Sequence, residues 1–229
     1  MTKDNITAGD SEAPRGVLWD MDGVLVDTGE FHFQSWLAVL PEYGIAYDRD
    51  AFERTFGMNN PGTLRALTGR ELPAEVVEEI SRRKELTYRA SLRGRAKALP
   101  GAKAWLARLK ERGYRQGIAS STPQANIDVV VSELDIAGYL DVIVSGAEMA
   151  PKPDPEVFLT VAAQLGVPPH RCVVVEDSRA GVEAARRGGM RCIAVTTTNP
   201  PEALQTADVI VDRLDELPDD AFERLLGEV

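Results

Sequence analysis

The chain has 229 residues, a formal net charge of −10 at pH 7 and 44% hydrophobic residues, which suits one large domain, or a domain with a substantial insertion, around an apolar core. The negative charge argues against non-specific binding to nucleic acids or anionic membranes, and no apolar run reaches the roughly 20 residues that cross a bilayer. An anionic substrate would be repelled at long range, so it would need a local positive site made by a metal ion or by a few lysines and arginines.

The first residues, MTKDNITAGDSEAPRG, are polar and contain no apolar signal-peptide core. We therefore expect a flexible tail over residues 1–14 and a cytoplasmic location. The two cysteines, Cys172 and Cys192, both lie in apolar, strand-like runs. We interpret them as small core residues in a reducing compartment rather than as a disulfide or a catalytic thiol.

The segment that follows the tail contains one apolar strand and then a long helical region. GVLWD (16–20) is typical of a buried strand. From 29 to 98 every periodic stretch indicates a helix: EFHFQSWLAVL, DRDAFERTFG, PGTLRALTG and PAEVVEEISRRKELTYRASLRG. Because about 70 residues are far more than an ordinary loop between strands needs, we predict that residues 29–98 form an inserted helical cap domain.

From residue 99 onward, short runs rich in valine and isoleucine alternate with helical stretches that often end at glycine. The strand-like runs cover residues 115–120, 141–145, 171–177, 190–196 and 208–212. This alternation predicts right-handed βαβ units and a doubly wound parallel sheet, an α/β fold. We assign this catalytic core to residues 15–28 and 99–229.

Carboxylates follow two of the predicted strands. Asp20 and Asp22 end the first, ahead of a glycine, and Glu176 and Asp177 end a later one. The carboxyl ends of such strands meet at the edge of the sheet where ligands bind, and several carboxylates can share one point only with a cation. Oxygen ligands select Mg²⁺ or Ca²⁺, and Mg²⁺ commonly also binds phosphate oxygens. The sequence therefore predicts a Mg²⁺ site that receives a phosphoryl group, with one aspartate as nucleophile and another moving the proton.

Four motifs, DMDGVLVDT, GIASST, APKPDP and VVEDSRAG, stand in this order along the chain. They resemble the four motifs of the haloacid dehalogenase superfamily, and more narrowly its β-phosphoglucomutase-like branch, in which a helical cap follows the first motif. The resemblance implies that Asp20 is the nucleophile and Asp22 the general acid and base. The other roles it implies are phosphoryl binding by Ser120 with Ser121 and Thr122 nearby, charge neutralisation by Lys152, and Mg²⁺ binding by Asp20, the Asp22 backbone carbonyl, Glu176 and Asp177.

The aspartate at position 22 narrows the expected activity. Superfamily members that remove halide, and those that cleave phosphonates, lack an acid at this position, which leaves phosphatases and phosphomutases. Cap residues bear on the choice between these two. The segment DTGEFHFQSW resembles the mutases in placing a histidine and a tryptophan near the site. The residues we expect to bind substrate or phosphate are Thr28, His32, Gly57, Asn60, Lys84, Ser121 and Thr122. Trp36 fits a sugar contact and a core position equally well.

The substrate loop of the cap departs from the mutase pattern. FGMNNPGT keeps Gly57 but has Asn60 where the mutases carry an arginine for the distal phosphate, and a guanidinium is well suited to that task. Lys84 matches another mutase position, although RRK on a helix usually indicates a solvated face. We therefore expect a phosphatase acting on a small phosphorylated metabolite such as a sugar phosphate. A sugar phosphomutase is the alternative, and a non-catalytic binding protein on the same fold is a third hypothesis.

Overall fold

The computed structural model of the protein describes residues 13–228. The predicted flexible tail, residues 1–14, therefore lies outside the described residues except for its last two positions. Within the described part of the chain, six strands form one parallel sheet in the order β3-β2-β1-β4-β5-β6. The strands are β1 (Gly16–Trp19), β2 (Arg115–Ser120), β3 (Val142–Ser145), β4 (Cys172–Glu176), β5 (Arg191–Val195) and β6 (Val209–Val211).

Helices fill the remaining chain in two groups. Between β1 and residue 99 lie α1 (Gly29–Val39), α2 (Arg49–Thr55), α3 (Asn60–Thr68) and α4 (Ala74–Leu92). The others alternate with the strands or follow them: α5 (Ala102–Glu111), α6 (Gln124–Leu134), α7 (Glu156–Leu165), α8 (Arg179–Arg187) and α9 (Ala221–Leu225). Every predicted strand is present, shortened by at most one residue at either end.

Apolar side chains cover both faces of the sheet, which explains why its strands are apolar throughout. Val17 and Trp19 belong to a cluster that includes Leu106 of α5. Leu18 points to the opposite face and belongs to a second cluster with Phe158 of α7. Helices on both faces of a parallel sheet define a doubly wound arrangement, so the predicted fold class is confirmed.

Helices α1, α3 and α4 share an apolar cluster of their own. Trp36 of α1, Leu64 of α3 and Ile80 of α4 pack together there, separately from the two clusters of the sheet. Trp36 is buried in this cluster, so the structure favours its interpretation as a core residue. A separate core is what an inserted cap domain requires, and the limits 29 and 98 stay a prediction.

Two further sequence predictions concern the cysteines and the membrane. Cys172 and Cys192 are free thiols, both buried in the sheet, as expected of core residues. Among the helices of residues 13–228, none combines the length and apolarity that a bilayer span requires.

Candidate active site

The carboxyl ends of the central strands bring the predicted acids together. β1 lies between β2 and β4, and the register pairs Trp19 with Ile118 on one side and with Val175 on the other. The next residue, Asp20, donates its backbone N–H to the Val175 carbonyl at 2.9 Å. Because all three strands run in the same direction, Asp20 and Glu176 lie side by side at one edge of the sheet.

Lys152 joins these two acids. Its Nζ donates to Asp20 Oδ1 at 2.6 Å and to Glu176 Oε1 at 2.6 Å. It comes from the connection between β3 and α7, and its side chain is only 9% exposed. An ammonium held between two buried carboxylates forms strong, charge-assisted hydrogen bonds. The predicted functional role of Lys152 thus has a geometric basis, because a solvated turn would leave this side chain in water.

Protein donors also surround the second oxygen of Glu176. Glu176 Oε2 accepts from the backbone N–H of Asp177 and of Ser178, each at 2.8 Å, and from Ser178 Oγ at 2.9 Å. Ser178 also caps α8, since its Oγ accepts from the Gly181 N–H at 3.0 Å. Both oxygens of Glu176 are therefore engaged by the protein itself.

Asp177 lies beside this cluster with different partners. Its Oδ2 accepts from Thr198 Oγ1 at 2.5 Å. Gly23, which has φ +82°, passes so close that a Cβ there would stand 1.9 Å from the same oxygen. Only glycine fits between the loop after β1 and Asp177, so this residue keeps the two predicted acid motifs in contact.

The electrostatics of this group suit a divalent cation. Burial and the neighbouring carboxylates raise the pKa of Asp177 well above its ordinary value. Burial raises the pKa of Asp20 to about 7, although Lys152 opposes the rise. In residues 13–228, no three acidic, histidine or cysteine side chains already converge as a metal site. The residues nevertheless fit Mg²⁺. When Asp20, Glu176 and Asp177 are all ionised, their negative charge exceeds what the Lys152 ammonium can balance, and carboxylates are the ligands that Mg²⁺ prefers.

Asp22 has a separate set of hydrogen-bond donors. Thr122 Oγ1 donates to its Oδ2 at 2.7 Å, and the Thr28 hydroxyl donates to its Oδ1. His32 Nε2 lies 3.8 Å from Oδ1, longer than a hydrogen bond. Although burial opposes it, the His32 imidazole and the two hydroxyls lower the pKa of Asp22 to about 2. In this arrangement Asp22 is therefore ionised.

His32 lies between Asp22 and Lys84. Lys84 Nζ lies 2.9 Å from His32 Nδ1, and the imidazole stacks on the Tyr88 ring at 4.1 Å. Burial and the Lys84 charge lower the pKa of His32, so its ring is neutral at pH 7. Because an ammonium can only donate, Nδ1 accepts and the Nε2–H faces Asp22. Lys84 is 3% exposed, so the solvated-face interpretation of RRK is wrong for this residue.

A buried carboxylate that the sequence did not single out completes the network. Glu85 Oε1 accepts from Lys84 Nζ at 2.8 Å and from Asn60 Nδ2 at 2.9 Å. Its Oε2 accepts from Asn126 on α6, whose Oδ1 accepts in turn from Arg89 at 2.8 Å. Glu85 and Arg89 lie on α4, so these bonds join the cap to the core. Asn60 is therefore committed to a protein partner.

The remaining predicted residues lie at the margin of these groups. Ser120 ends β2, is buried, and accepts from the Thr122 N–H at 3.1 Å. Ser121 is exposed, next to the start of α6. Gly57 is exposed in the turn between α2 and α3 with φ +86°, and a Cβ there would meet nothing within 4 Å. Its backbone conformation, not a close contact, favours glycine.

Comparisons with known proteins identify the family of the chain. The sequence profile described as haloacid dehalogenase-like hydrolase matches residues 17–195. A β-phosphoglucomutase of Bacillus subtilis is 32% identical over 211 residues, which is 89% of this chain and 91% of that protein. A phosphorylated carbohydrates phosphatase of Thermotoga maritima is 33% identical over 201 residues, 85% of this chain and 91% of its own.

A solved structure gives the same result at the level of the fold. The crystal structure of a β-phosphoglucomutase from Clostridium difficile superposes with a TM-score of 0.84 at 25% identity, covering 94% of this chain and 98% of that one. Sequence and fold thus agree over nearly the whole described chain. The chain belongs to the haloacid dehalogenase-like hydrolase family, in the branch that includes the β-phosphoglucomutases.

Proposed function

We propose that this protein is a Mg²⁺-dependent phosphatase that hydrolyses a small phosphorylated metabolite through an aspartyl-phosphate on Asp20. One observation carries the proposal: the Asp20 carboxylate lies at the edge of the sheet, buried, with Lys152 Nζ at 2.6 Å. A nucleophilic carboxylate needs a positive charge beside it, because the incoming phosphoryl group is anionic. Burial keeps competing water away from the reacting atoms.

Two residues would divide the work of the reaction. Asp20 attacks phosphorus while the ester oxygen leaves with a proton from Asp22. Asp22 then takes a proton from the water that hydrolyses the acyl phosphate. Because the His32 imidazole and the two hydroxyl partners hold the pKa of Asp22 at about 2, Asp22 has to take up a proton when substrate binds before it can donate one. Ser120 and the backbone N–H groups that follow it would hold the phosphoryl oxygens.

Asp20, Asp177 and the backbone carbonyl of Asp22 are the groups we propose to hold Mg²⁺. When bound, the ion would neutralise charge on the phosphoryl oxygens. Because the oxygens of Glu176 are engaged by Lys152 and Ser178, we give Glu176 the role of orienting Lys152 and the start of α8 rather than of direct ligation.

The cap residues favour hydrolysis over phosphomutase activity. We propose that residues 29–98 close over the site and that His32 and Lys84 approach the leaving group. A mutase must hold a second phosphate, but Asn60 has no charge and its amide donates to Glu85. The similarity to the Thermotoga maritima phosphatase supports hydrolysis of a sugar phosphate. The similarity to the Bacillus subtilis mutase keeps sugar phosphomutase as the second candidate. The free, buried thiols are consistent with the predicted cytoplasmic location.

A panel of phosphate esters assayed with Mg²⁺ tests the proposal. Free phosphate and isomerised sugar phosphate are both measured, with β-glucose 1-phosphate included. We expect phosphate release, and a loss of about 10³-fold or more in kcat for Asp20→Asn. Asp128→Asn, an exposed position on α6, is the matched control and should retain activity. Glucose 6-phosphate formed without free phosphate would favour the mutase, and full activity of Asp20→Asn would exclude the nucleophile assignment.

A further inference from the structure

A cavity of about 490 Å³ lies beside the candidate active site. Its walls come from the loop after β1, from α2 and from the segment after β5, and include Gly23, Asp27, Phe52, Glu53, Phe56 and Thr198. This volume is in the range of pockets that hold small molecules.

The cavity adjoins the reacting groups at two points. Thr198 donates to Asp177 Oδ2, and Gly23 packs against the same carboxylate. At the other end, the Phe56 ring meets His32 edge-on, with ring centroids 6.2 Å apart. A phosphate ester bound at Asp20 would therefore have its leaving group within reach of this space.

The lining of the cavity is both aromatic and acidic. Phe52 and Phe56 pack at a centroid distance of 4.8 Å and supply apolar surface. Asp27 and Glu53 are exposed at its rim. Of the described residues that line it, none is lysine or arginine. Carboxylates accept hydrogen bonds from hydroxyl or ammonium groups and repel anions, whereas aromatic rings pack against the apolar face of a sugar.

Lys84, the buried cation of the cap, does not offset the negative charge of the cavity lining. Lys84 Nζ is paired with Glu85 at 2.8 Å. Burial opposes the charge of Glu85, but Lys84 and two amide donors hold its pKa below the ordinary value. Burial also lowers the pKa of Lys84, so the pair carries no net positive charge, and Asn60 adds none. A second phosphate or a carboxylate on the leaving group would meet acids at the rim, with no lysine or arginine among the described lining residues to offset them.

We propose that this cavity holds the leaving group, and that Asp27 and Glu53 restrict the enzyme to phosphate monoesters whose leaving group carries hydroxyl or amino groups and no second anion. The inference rests on the proposed phosphatase function. It identifies the substrate class by charge: uncharged or cationic polyol phosphates are hydrolysed, and bisphosphates and phosphorylated acids are rejected.

Two substrate pairs that differ by one anionic group test this inference. They are fructose 1-phosphate with fructose 1,6-bisphosphate, and glycerol 3-phosphate with 3-phosphoglycerate. The readout is the ratio of kcat/KM within each pair at constant Mg²⁺. We expect the wild type to prefer the member without the extra anion by about tenfold in the bisphosphate pair, given the combined repulsion of two carboxylates, and by about threefold in the phosphoglycerate pair, whose extra anion carries a single charge.

Glu53→Gln should weaken this preference, and Glu53→Lys should weaken it further. For a dianion about 8 Å away at about 20 mM ionic strength, removing one carboxylate is worth about threefold in the ratio and reversing its sign about tenfold. At about 0.5 M NaCl both effects should fall below about twofold, because salt screens exposed charges. Glu78→Gln and Glu78→Lys, at an exposed position on α4 that does not line the cavity, are the matched controls and should leave the ratio unchanged.

The outcomes separate this inference from the proposed function. If no ester releases phosphate in an Asp20-dependent way, the proposed function fails. If phosphate is released but the wild type hydrolyses both members of each pair equally well, the charge restriction is wrong. It is also wrong if the Glu53 and Glu78 variants change the ratio by the same factor, since a general effect of net charge would then explain the result.

Discussion

Replacing Lys152 by methionine should destabilise the protein far more than the loss of a surface charge. Lys152 Nζ contacts both Asp20 and Glu176 at 2.6 Å, and all three side chains are buried. Removing one partner of a buried ion pair costs about 3–5 kcal/mol, because the remaining charge is left without compensation. We expect a loss of about 3 kcal/mol in the free energy of unfolding at pH 7.5, at the lower end because Asp20 can take up a proton.

The loss should become smaller as the pH falls. The pKa of Asp20 is about 7 in the folded chain and 3.8 as an ordinary carboxyl, so its ionisation costs stability as the pH rises through that interval. Lys152 lowers this pKa, and the methionine variant moves the upper limit of the interval to higher pH. At about pH 5.5 Asp20 is protonated in both proteins, so their difference shrinks to the part that Glu176 contributes.

Urea unfolding followed by circular dichroism, with EDTA present to exclude metal ions, measures both effects. Lys110→Met is the matched control, because Lys110 pairs with Asp141 at 2.8 Å but is 42% exposed, and such pairs contribute about 0–1 kcal/mol. Equal losses for the two variants, or a Lys152→Met loss that grows toward pH 5.5, would refute the reasoning.

Two further substitutions test the contacts around the site. Gly23→Ala places a methyl group 1.9 Å from Asp177 Oδ2 at a φ of +82°, so we expect a loss of about 1–3 kcal/mol in urea unfolding and a large fall in Mg²⁺-dependent phosphate release. Asn126→Ala leaves Glu85 and Arg89 without their buried partner, and we expect it to cost about 1–3 kcal/mol in the same unfolding assay.

Each of these variants has a control on the same chain. Gly138→Ala introduces a methyl group with nothing within 4 Å and should retain activity. Gln124→Ala changes an exposed residue on the helix that carries Asn126 and should unfold within about 0.5 kcal/mol of the wild type. Wild-type activity of Gly23→Ala, or an Asn126→Ala variant as stable as Gln124→Ala, would contradict the contacts described.

The sheet and the acids at its edge were predictable because their signals are local. Parallel strands covered on both faces must be apolar throughout, so Cys172–Glu176 and its neighbours could be recognised by composition alone. Asp20 and Glu176 end such strands, and the common direction of the strands brings those ends together. The position of a residue at the end of a strand therefore predicts that it belongs to the site, even when its side-chain contacts are unknown.

The partners of Lys84 could not be predicted in the same way. Glu85 follows Lys84 in a helix rich in charge, and nothing in RRKEL shows which residues face inward. Its contact with Asn126 joins residues 41 positions apart and depends on how α4 packs against α6. Such a contact is set by tertiary packing, which a helical pattern does not encode.

Identifying the residue that becomes phosphorylated tests the central claim most directly. Borohydride added during turnover with Mg²⁺ reduces an aspartyl-phosphate to homoserine, which peptide mass spectrometry locates in the sequence. We predict homoserine at position 20, and none there in the Asp20→Asn variant. Homoserine at position 22 or 177, or steady phosphate release with no reduction at position 20, would contradict the account.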